Sequence, residues 1–315
     1  MPEESTASLF YWEEGHPETS RSVPFEEHWD SIYHAVPEGL DISKSYVCAV
    51  EIDGKKSRPF PVDPGTPPGD EFSFLVIGDT RAGNSLAHKK LIKEMSKQDA
   101  AFYIHTGDFV HDATDPAQWN EFFRIERPLL SKMPIVPVAG NHDISDIGIY
   151  TNLFFREERF YSFDYSNIMI IVLDSTVPIE KGDRQYRFLE EELDRYESSS
   201  KDHLFVAVHH PPYSSGHHGD YSMLKESVLP LIEKHNVVAV MSGHEHNYER
   251  TRPITGIVYI VTGGGGSPLR AVDVKPYSEK ALIVLHFIKI TVKGKSVYLE
   301  AIDINGKVVD EARLK

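Results

Sequence analysis

Beyond residue 71, continuous apolar runs alternate with stretches whose apolar residues recur at helical spacing. In SLAHKKLIKEMSKQ (85–98), for example, Leu86, Leu91, Ile92 and Met95 can share one helical face. Seven runs read as strands: FSFLVIG (72–78), AFYIHTG (101–107), PIVPVAG (134–140), IMIIVLD (168–174), LFVAVHH (204–210), VVAVMSG (237–243) and GIVYIVTGG (256–264). Apolar strands that alternate with helices indicate an α/β fold with a sheet covered on both faces.

Three more stretches are predicted to be helical: PAQWNEFFRIERPLLSKM (116–133), QYRFLEEELDRYESS (185–199) and SMLKESVLPLIEKH (222–235). From residue 281 the pattern changes to consecutive strands separated by KGK and NGK turns. We therefore expect the sheet to gain antiparallel strands near the end of the chain.

The first 70 residues differ from the rest in being rich in Glu, Pro and Ser. Within them, KSYVCAVEIDGKKSRPF reads as two short strands around a DG turn, which is typical of a hairpin. They end in RPFPVDPGTPPGD, a Pro- and Gly-dense linker. The sequence thus predicts a small β appendage with its linker over 1–70 and a catalytic domain over 71–315.

The formal net charge of −15 disfavours a nucleic-acid or anionic-membrane surface as the main partner. An acidic protein that binds an anion needs local positive charge, which metal ions can supply. Cys48 is the single cysteine, so no intrachain disulfide can form. No apolar run approaches the roughly 20 residues of a membrane span, and no signal peptide is visible, so a cytoplasmic protein is expected.

Polar side chains follow five of the predicted strands at the point where each strand ends. These residues are Asp79, Asp108, Asn141-His142-Asp143, His209-His210 and His244-Glu245-His246. In open α/β sheets, ligands bind beyond the carboxyl ends of the strands. Carboxylates, an amide oxygen and imidazoles suit two metal ions such as Mn, Fe or Zn.

The blocks GD (78–79), GD (107–108), GNHD (140–143), HHPPYSSG (209–216) and GHEH (243–246) occur in this order. Their order resembles the metallophosphoesterase (calcineurin-like) superfamily over roughly residues 72–266, and most closely its purple acid phosphatase-like branch. The resemblance implies a four-layer fold, in which helices flank a central β-sandwich of mixed sheets. The N-terminal appendage resembles the last strands of a fibronectin type III-like module.

The resemblance also implies two metal positions that share one bridging carboxylate. The first takes Asp79, Asp108 and His246, and the second takes Asp108, Asn141, His209 and His244. His142 would lie beside the substrate phosphate, and His217 or His218 in the following loop would contact it. The stretch TGGGGSP (262–268) lacks the Lys-Ser/Thr of a phosphate-binding P-loop. It is interpreted as a tight turn that lets the backbone pass near the site.

Two positions depart from the family pattern. Many members carry a metal-ligating His two residues after the first Asp, where this chain has Arg81. Arg81 is interpreted as a phosphate clamp, as a partner of a carboxylate such as Asp79 or Asp112, or as a solvated surface residue. Purple acid phosphatases instead have a ligand Tyr three residues after the bridging Asp, where this chain has His111. We expect His111 to replace it; the alternatives are Asp112 as the ligand, and an exposed loop His.

The function implied is a dinuclear metal-dependent phosphoesterase that cleaves small phosphomonoesters with a metal-bridging hydroxide as nucleophile. One alternative is a phosphodiesterase acting on nucleotides or cyclic nucleotides, since the same core supports both reactions. Another is a non-catalytic protein on the same fold that binds a phosphate ligand, which the incomplete first block favours.

The absence of a tyrosinate ligand from the predicted metal site has a consequence for the colour of the protein. Iron-loaded protein should show no tyrosinate-to-iron charge-transfer band and should not be purple, because His111 stands where the Tyr would be. A visible absorption spectrum of the iron-loaded protein checks this, with the metal-free protein as the blank. A purple sample would reject the assignment of His111.

Overall fold

The computed structural model describes residues 6–29, 32–41, 43–62, 71–81, 85–154 and 158–315. The chain divides into two units, Met1–Pro68 and Gly69–Lys315. Part of the predicted linker, residues 63–70, lies outside the described residues.

The first unit is built from antiparallel strands. They are β1 (Ala7–Glu13), β2 (His16–Pro24), β3 (Glu26–Trp29), β4 (Ile32–His34), β5 (Tyr46–Ile52), β6 (Lys55–Lys56) and β7 (Phe60–Val62). Strands β2, β1, β5 and β6 pair in that order, β7 also pairs with β5, and β3 pairs with β4. The predicted hairpin is β5–β6, turning at Asp53 and Gly54 with φ of 49° and 75°. Strand β2 was not predicted, because nearly all its side chains are exposed and no apolar alternation marks it.

The second unit contains two mixed sheets. The first has the order β10-β9-β8-β18-β19-β20, from β8 (Phe72–Ile77), β9 (Tyr103–His105), β10 (Ile135–Pro137), β18 (His286–Lys293), β19 (Ser296–Asp303) and β20 (Val308–Arg313). The second has the order β11-β12-β13-β14-β16-β15-β17, from β11 (Tyr161–Tyr165), β12 (Ile168–Leu173), β13 (His203–Val208), β14 (Val237–Ser242), β15 (Tyr248–Thr251), β16 (Val258–Thr262) and β17 (Ser278–Leu282). The antiparallel pairs β18–β19 and β19–β20 confirm the strands and turns predicted for the tail.

The helices of this unit are α1 (Ser85–Met95), α2 (Pro116–Leu130), α3 (Ile147–Leu153), α4 (Arg184–Glu197), α5 (Ser222–Ser227) and α6 (Leu229–Ile232). The single helix predicted over 222–235 was wrong: Pro230, which has no backbone N–H, lies in the first turn of the separate helix α6. Leu86 was also misplaced on the buried face of α1, since it is 70% exposed while Leu91 is fully buried.

The two sheets stack face to face around an apolar core, with helices on both outer faces. In β8, Phe74 packs toward the second sheet and contacts Phe205 with ring centroids 5.5 Å apart. Its neighbour Leu75 points to the opposite face and packs in the cluster that contains α1 and α2. Helices α4, α5 and α6 cover the outer face of the second sheet. This arrangement confirms the four-layer sandwich of mixed sheets.

The parallel strands bring the functional loops to one edge of the sandwich. Strands β8, β9 and β10 run parallel in the first sheet, as do β12, β13, β14 and β16 in the second. The loops that follow β8, β9, β10, β13 and β14 carry the five blocks of polar residues. Within the described residues, no helix has the length and apolar character needed to cross a membrane.

Candidate metal centre

Three of the strand-end residues adopt a left-handed backbone. Asp79 and Asp108 have φ of 59° and His244 has φ of 68°. For non-glycine residues this conformation costs on the order of 1–3 kcal/mol, and it collects at functional sites. The sharp turn lets each side chain point back into the edge of the sandwich instead of continuing the strand.

Donor atoms from separate loops converge on the second predicted metal position. Asn141 Oδ1 lies 3.1 Å from His209 Nε2 and 3.0 Å from His244 Nδ1. His209 Nε2 is 3.5 Å from Asp108 Oδ1. The Nδ1 of His209 lies 2.8 Å from the Thr106 carbonyl oxygen, which fixes Nδ1 as the protonated nitrogen and leaves the Nε2 lone pair free. Burial holds the pKa of His209 well below its usual value, so the ring is neutral, as a metal ligand must be.

The first predicted position centres on Asp79, which is fully buried. Its Oδ2 accepts a hydrogen bond from His244 N at 2.8 Å, while its Oδ1 has no hydrogen-bond partner. His246 Nε2 lies 3.4 Å from that Oδ1, and His246 Nδ1 is 2.8 Å from the Pro268 carbonyl oxygen. Burial and the neighbouring charge of Asp108 raise the pKa of Asp79 well above normal. A bare buried carboxylate oxygen next to a free imidazole nitrogen fits a metal ion.

Arg81 points into this first position. Its Nε lies 2.9 Å from Asp108 Oδ2, and its side chain is 13% exposed. Its Nη2 donates to His246 Nε2 at 3.4 Å and its Nη1 to His111 Nδ1 at 3.1 Å. The interpretation as a solvated surface residue was therefore wrong. The carboxylate that Arg81 contacts is Asp108, not the Asp79 or Asp112 considered from the sequence.

His111 and His142 form a pair at the rim. Their ring centroids are 4.9 Å apart, and His142 Nδ1 donates to the His111 carbonyl oxygen at 2.8 Å. The backbone N–H of His142 donates to Asp108 Oδ1 at 3.0 Å. His111 is exposed, and its Nδ1 accepts a hydrogen bond from Arg81 Nη1 at 3.1 Å.

Glu245 holds the loop that carries His217 and His218, the two residues predicted to contact the substrate phosphate. It is fully buried, and its carboxylate accepts the backbone N–H of His217 at 3.0 Å and that of His218. The His218 Nδ1 also lies 2.9 Å from Glu245 Oε1. Arg270 Nη1 lies 3.2 Å from His218 Nδ1 and donates to the His244 carbonyl oxygen at 3.3 Å. His218 thus lies beside the second position, with its ring centroid 4.5 Å from that of His244, and the ring of His217 lies next to that of His218.

Asp143 joins two of the loops that carry the predicted metal ligands. It is fully buried and accepts the backbone N–H groups of Asp108, Phe109 and Gly140 at 2.7, 2.9 and 2.8 Å. Since Asp108 and Asn141 lie on the two loops so joined, Asp143 sets their separation. His210, by contrast, is held by Ser175 Oγ at 2.8 Å and stands with its ring centroid 4.4 Å from that of His244.

The glycine-rich stretch 262–268 runs directly beside the first position. Gly265 N donates to the Gly78 carbonyl oxygen at 2.9 Å. A Cβ on Gly263 would lie 2.2 Å from the Glu245 carbonyl oxygen and 2.8 Å from Asp79 Oδ2. Only glycine permits that approach, which confirms the interpretation as a backbone turn near the site.

Sequence reasoning gave no role to three residues of this site. Asp143 and Glu245 lie inside the recognised blocks, so their position next to ligands was the available signal. Arg270 lies in an irregular segment without a motif, and only the folded chain brings it to His218 and His244.

A family model described as calcineurin-like phosphoesterase matches residues 72–248, more than half of the chain. Among curated proteins, the chain is similar to purple acid phosphatase 21 of Arabidopsis thaliana, with 27% identity over 235 residues, covering 63% of this chain and 53% of that protein. It is also similar to probable purple acid phosphatase 20 of the same plant, with 32% identity over 230 residues, covering 64% and 53%. The chain thus spans about half the length of these two curated relatives.

Among solved structures, a purple acid phosphatase from yellow lupin (Lupinus luteus) seeds aligns with a TM-score of 0.88. The alignment covers 98% of this chain and 69% of that chain at 19% identity. At this identity the likeness shows the fold alone.

Asp143 provides a test of how the ligand loops are held. Asp143→Asn places an amide N–H₂ against a backbone N–H, and leaving such a buried donor unpaired costs about 1–3 kcal/mol. We expect the free energy of unfolding of the metal-free protein to fall by that amount, measured by urea denaturation. The control is Asp115→Asn, because Asp115 caps helix α2 and Asn caps equally well. Equal midpoints for the two variants would contradict the role given to Asp143.

Proposed function

Because the chain belongs to the calcineurin-like phosphoesterase family, we propose that it is a metal-dependent hydrolase of phosphoric esters, with phosphomonoesters as its preferred substrates. The observation that supports this most directly is the convergence of two carboxylates, an amide oxygen and three imidazoles from five loops on one edge. A fully buried Asp79 oxygen without a hydrogen-bond partner lies within this group.

We assign the ligands to two positions that share Asp108. Asp79 and His246 complete the first position, and the second position takes its remaining ligands from Asn141, His209 and His244. His111 is a further candidate for the first position, since its Nδ1 contacts the same guanidinium as His246 Nε2. The mixed oxygen and nitrogen donors suit Fe, Mn or Zn.

Bound metal ions would polarise the phosphoryl oxygens and acidify a water molecule into a nucleophile. The side chains around them have the separate task of holding an anion in a protein whose formal net charge is −15. Arg270 and the loop of His217 and His218 lie next to the second position, where they can donate to phosphate oxygens. The buried Glu245 keeps the loop of His217 and His218 fixed before substrate arrives.

His142 is proposed to exchange a proton with the leaving group. Its Nδ1 is engaged by the His111 carbonyl oxygen, so the exchangeable proton is carried on Nε2. Its backbone N–H is anchored to Asp108, which fixes the ring relative to the metal ligands. Burial lowers the pKa of His142, and the charge of Asp108 opposes this shift. The negative charge of a bound phosphate dianion would raise the pKa of His142 and thereby favour the protonated ring.

The proposed substrate class is tested with two chromogenic esters. Protein loaded with Mn, Zn or Fe should hydrolyse p-nitrophenyl phosphate with a higher kcat/KM than bis-p-nitrophenyl phosphate, and chelation should abolish both activities. A preference for the diester would favour the phosphodiesterase alternative. Stoichiometric metal with no hydrolysis of either ester would favour a non-catalytic phosphate-binding protein.

The role of His142 is tested by His142→Ala. We expect metal content near that of the parent and a kcat lower by about 10²–10⁴-fold, the usual contribution of a general acid. His16→Ala is a suitable control, because His16 is an exposed histidine of the first unit. Steady-state kinetics and metal analysis of the same preparations give the answer. Loss of metal in His142→Ala would show that its role is misassigned.

A further inference from the structure

A single guanidinium contacts most of the side chains assigned to the first metal position. Arg81 Nε is 2.9 Å from Asp108 Oδ2, and its two terminal nitrogens contact His246 Nε2 and His111 Nδ1. Arg81 therefore already supplies a cation to this half of the site.

We propose that Arg81 competes with the metal ion for the first position, so that the two positions fill with very different affinities. The second position fills first and tightly; the first fills only when the guanidinium withdraws from Asp108 and His246. The proposal rests on the proposed function, because it concerns the same metal centre.

The distances explain why the two cations exclude each other. A metal bound to Asp108 and His246 needs oxygen and nitrogen donors at about 2.0–2.2 Å. Arg81 Nε stands 2.9 Å from Asp108 Oδ2 and Arg81 Nη2 stands 3.4 Å from His246 Nε2, so one guanidinium contacts both donors. Arg81 cannot lose its charge, since a guanidinium stays protonated in proteins. It must therefore move for the metal to bind.

The second position meets this competition at the shared Asp108 but not at its other ligands. Its ligand atoms on Asn141, His209 and His244 contact one another, and within the described residues Arg81 makes no hydrogen bond to any of them. The two positions thus differ in what a metal must displace, although they share Asp108.

The main chain of Arg81 is fixed while its side chain can rotate. Arg81 N donates to the Asp108 carbonyl oxygen at 3.0 Å, and Ser267 Oγ donates to the Arg81 carbonyl oxygen at 3.2 Å. The side chain is 13% exposed. Withdrawal therefore requires side-chain rotation and the loss of one buried ion pair, without opening the loop.

The test is a metal titration of the metal-free full chain without substrate. Bound Mn²⁺ or Zn²⁺ per chain is measured after equilibrium dialysis over a wide range of free metal. We expect the parent to bind in two steps separated by at least about 10-fold in affinity, the usual scale of groups that contact metal ligands. Arg81→Met should tighten the weaker step by about 10-fold and leave the tighter step unchanged.

Arg270→Met is the matched control, because it removes the same charge from a residue that contacts His218 and the His244 carbonyl oxygen instead. It should change the weaker step by less than Arg81→Met does. Arg81→Gln serves as a second variant, and circular dichroism establishes that each variant is folded.

Equal affinities at the two positions in the parent, or a weaker step that Arg81→Met and Arg81→Gln leave unchanged, would overturn the competition and leave the proposed function intact. A parent that binds no metal at any concentration would overturn both. Because the readout is bound metal rather than turnover, the two failures are distinguished.

Discussion

The burial of two carboxylates side by side is the constraint on which the rest of the centre depends. Asp79 and Asp108 are 0% and 1% exposed, and like charges in a desolvated place repel each other strongly. The protein offsets this with backbone N–H donors from His142 and His244, and with the Arg81 guanidinium. One oxygen of Asp79 still lacks a hydrogen-bond partner. The site is therefore built to receive more positive charge than the chain itself provides.

The sandwich makes that burial possible. Asp79 and Asp108 follow strands of the first sheet, whereas His209 and His244 follow strands of the second. Hydrogen bonds that cross between the sheets join these loops: His209 Nδ1 to the Thr106 carbonyl oxygen, and His244 N to Asp79 Oδ2. The packed core beneath, with Phe74 against Phe205, fixes the sheets and hence the spacing of the ligands.

Much of this could be predicted from the sequence, because apolar strands ending in Gly-Asp or Gly-His carry their own local signal. The directions in which long side chains point could not be predicted in this way. Arg81 was read from its position two residues after Asp79, but its contacts are with Asp108, His111 and His246, which lie on other loops. Arg270 was missed for the same reason. The break at Val228, between α5 and α6, was missed because the helical spacing of apolar residues continues through it.

The left-handed backbone of Asp79, Asp108 and His244 affects how the sequences of related proteins change when the metal site is lost. At these positions a carboxylate or imidazole is kept at the expense of stability, and glycine would relax the backbone at once. A descendant that no longer needed the metal would gain stability by replacing these residues before any core position changed. Among chains with this fold, glycine at these three turns would therefore be an early mark of lost chemistry, and it could be recognised while the sandwich is still intact.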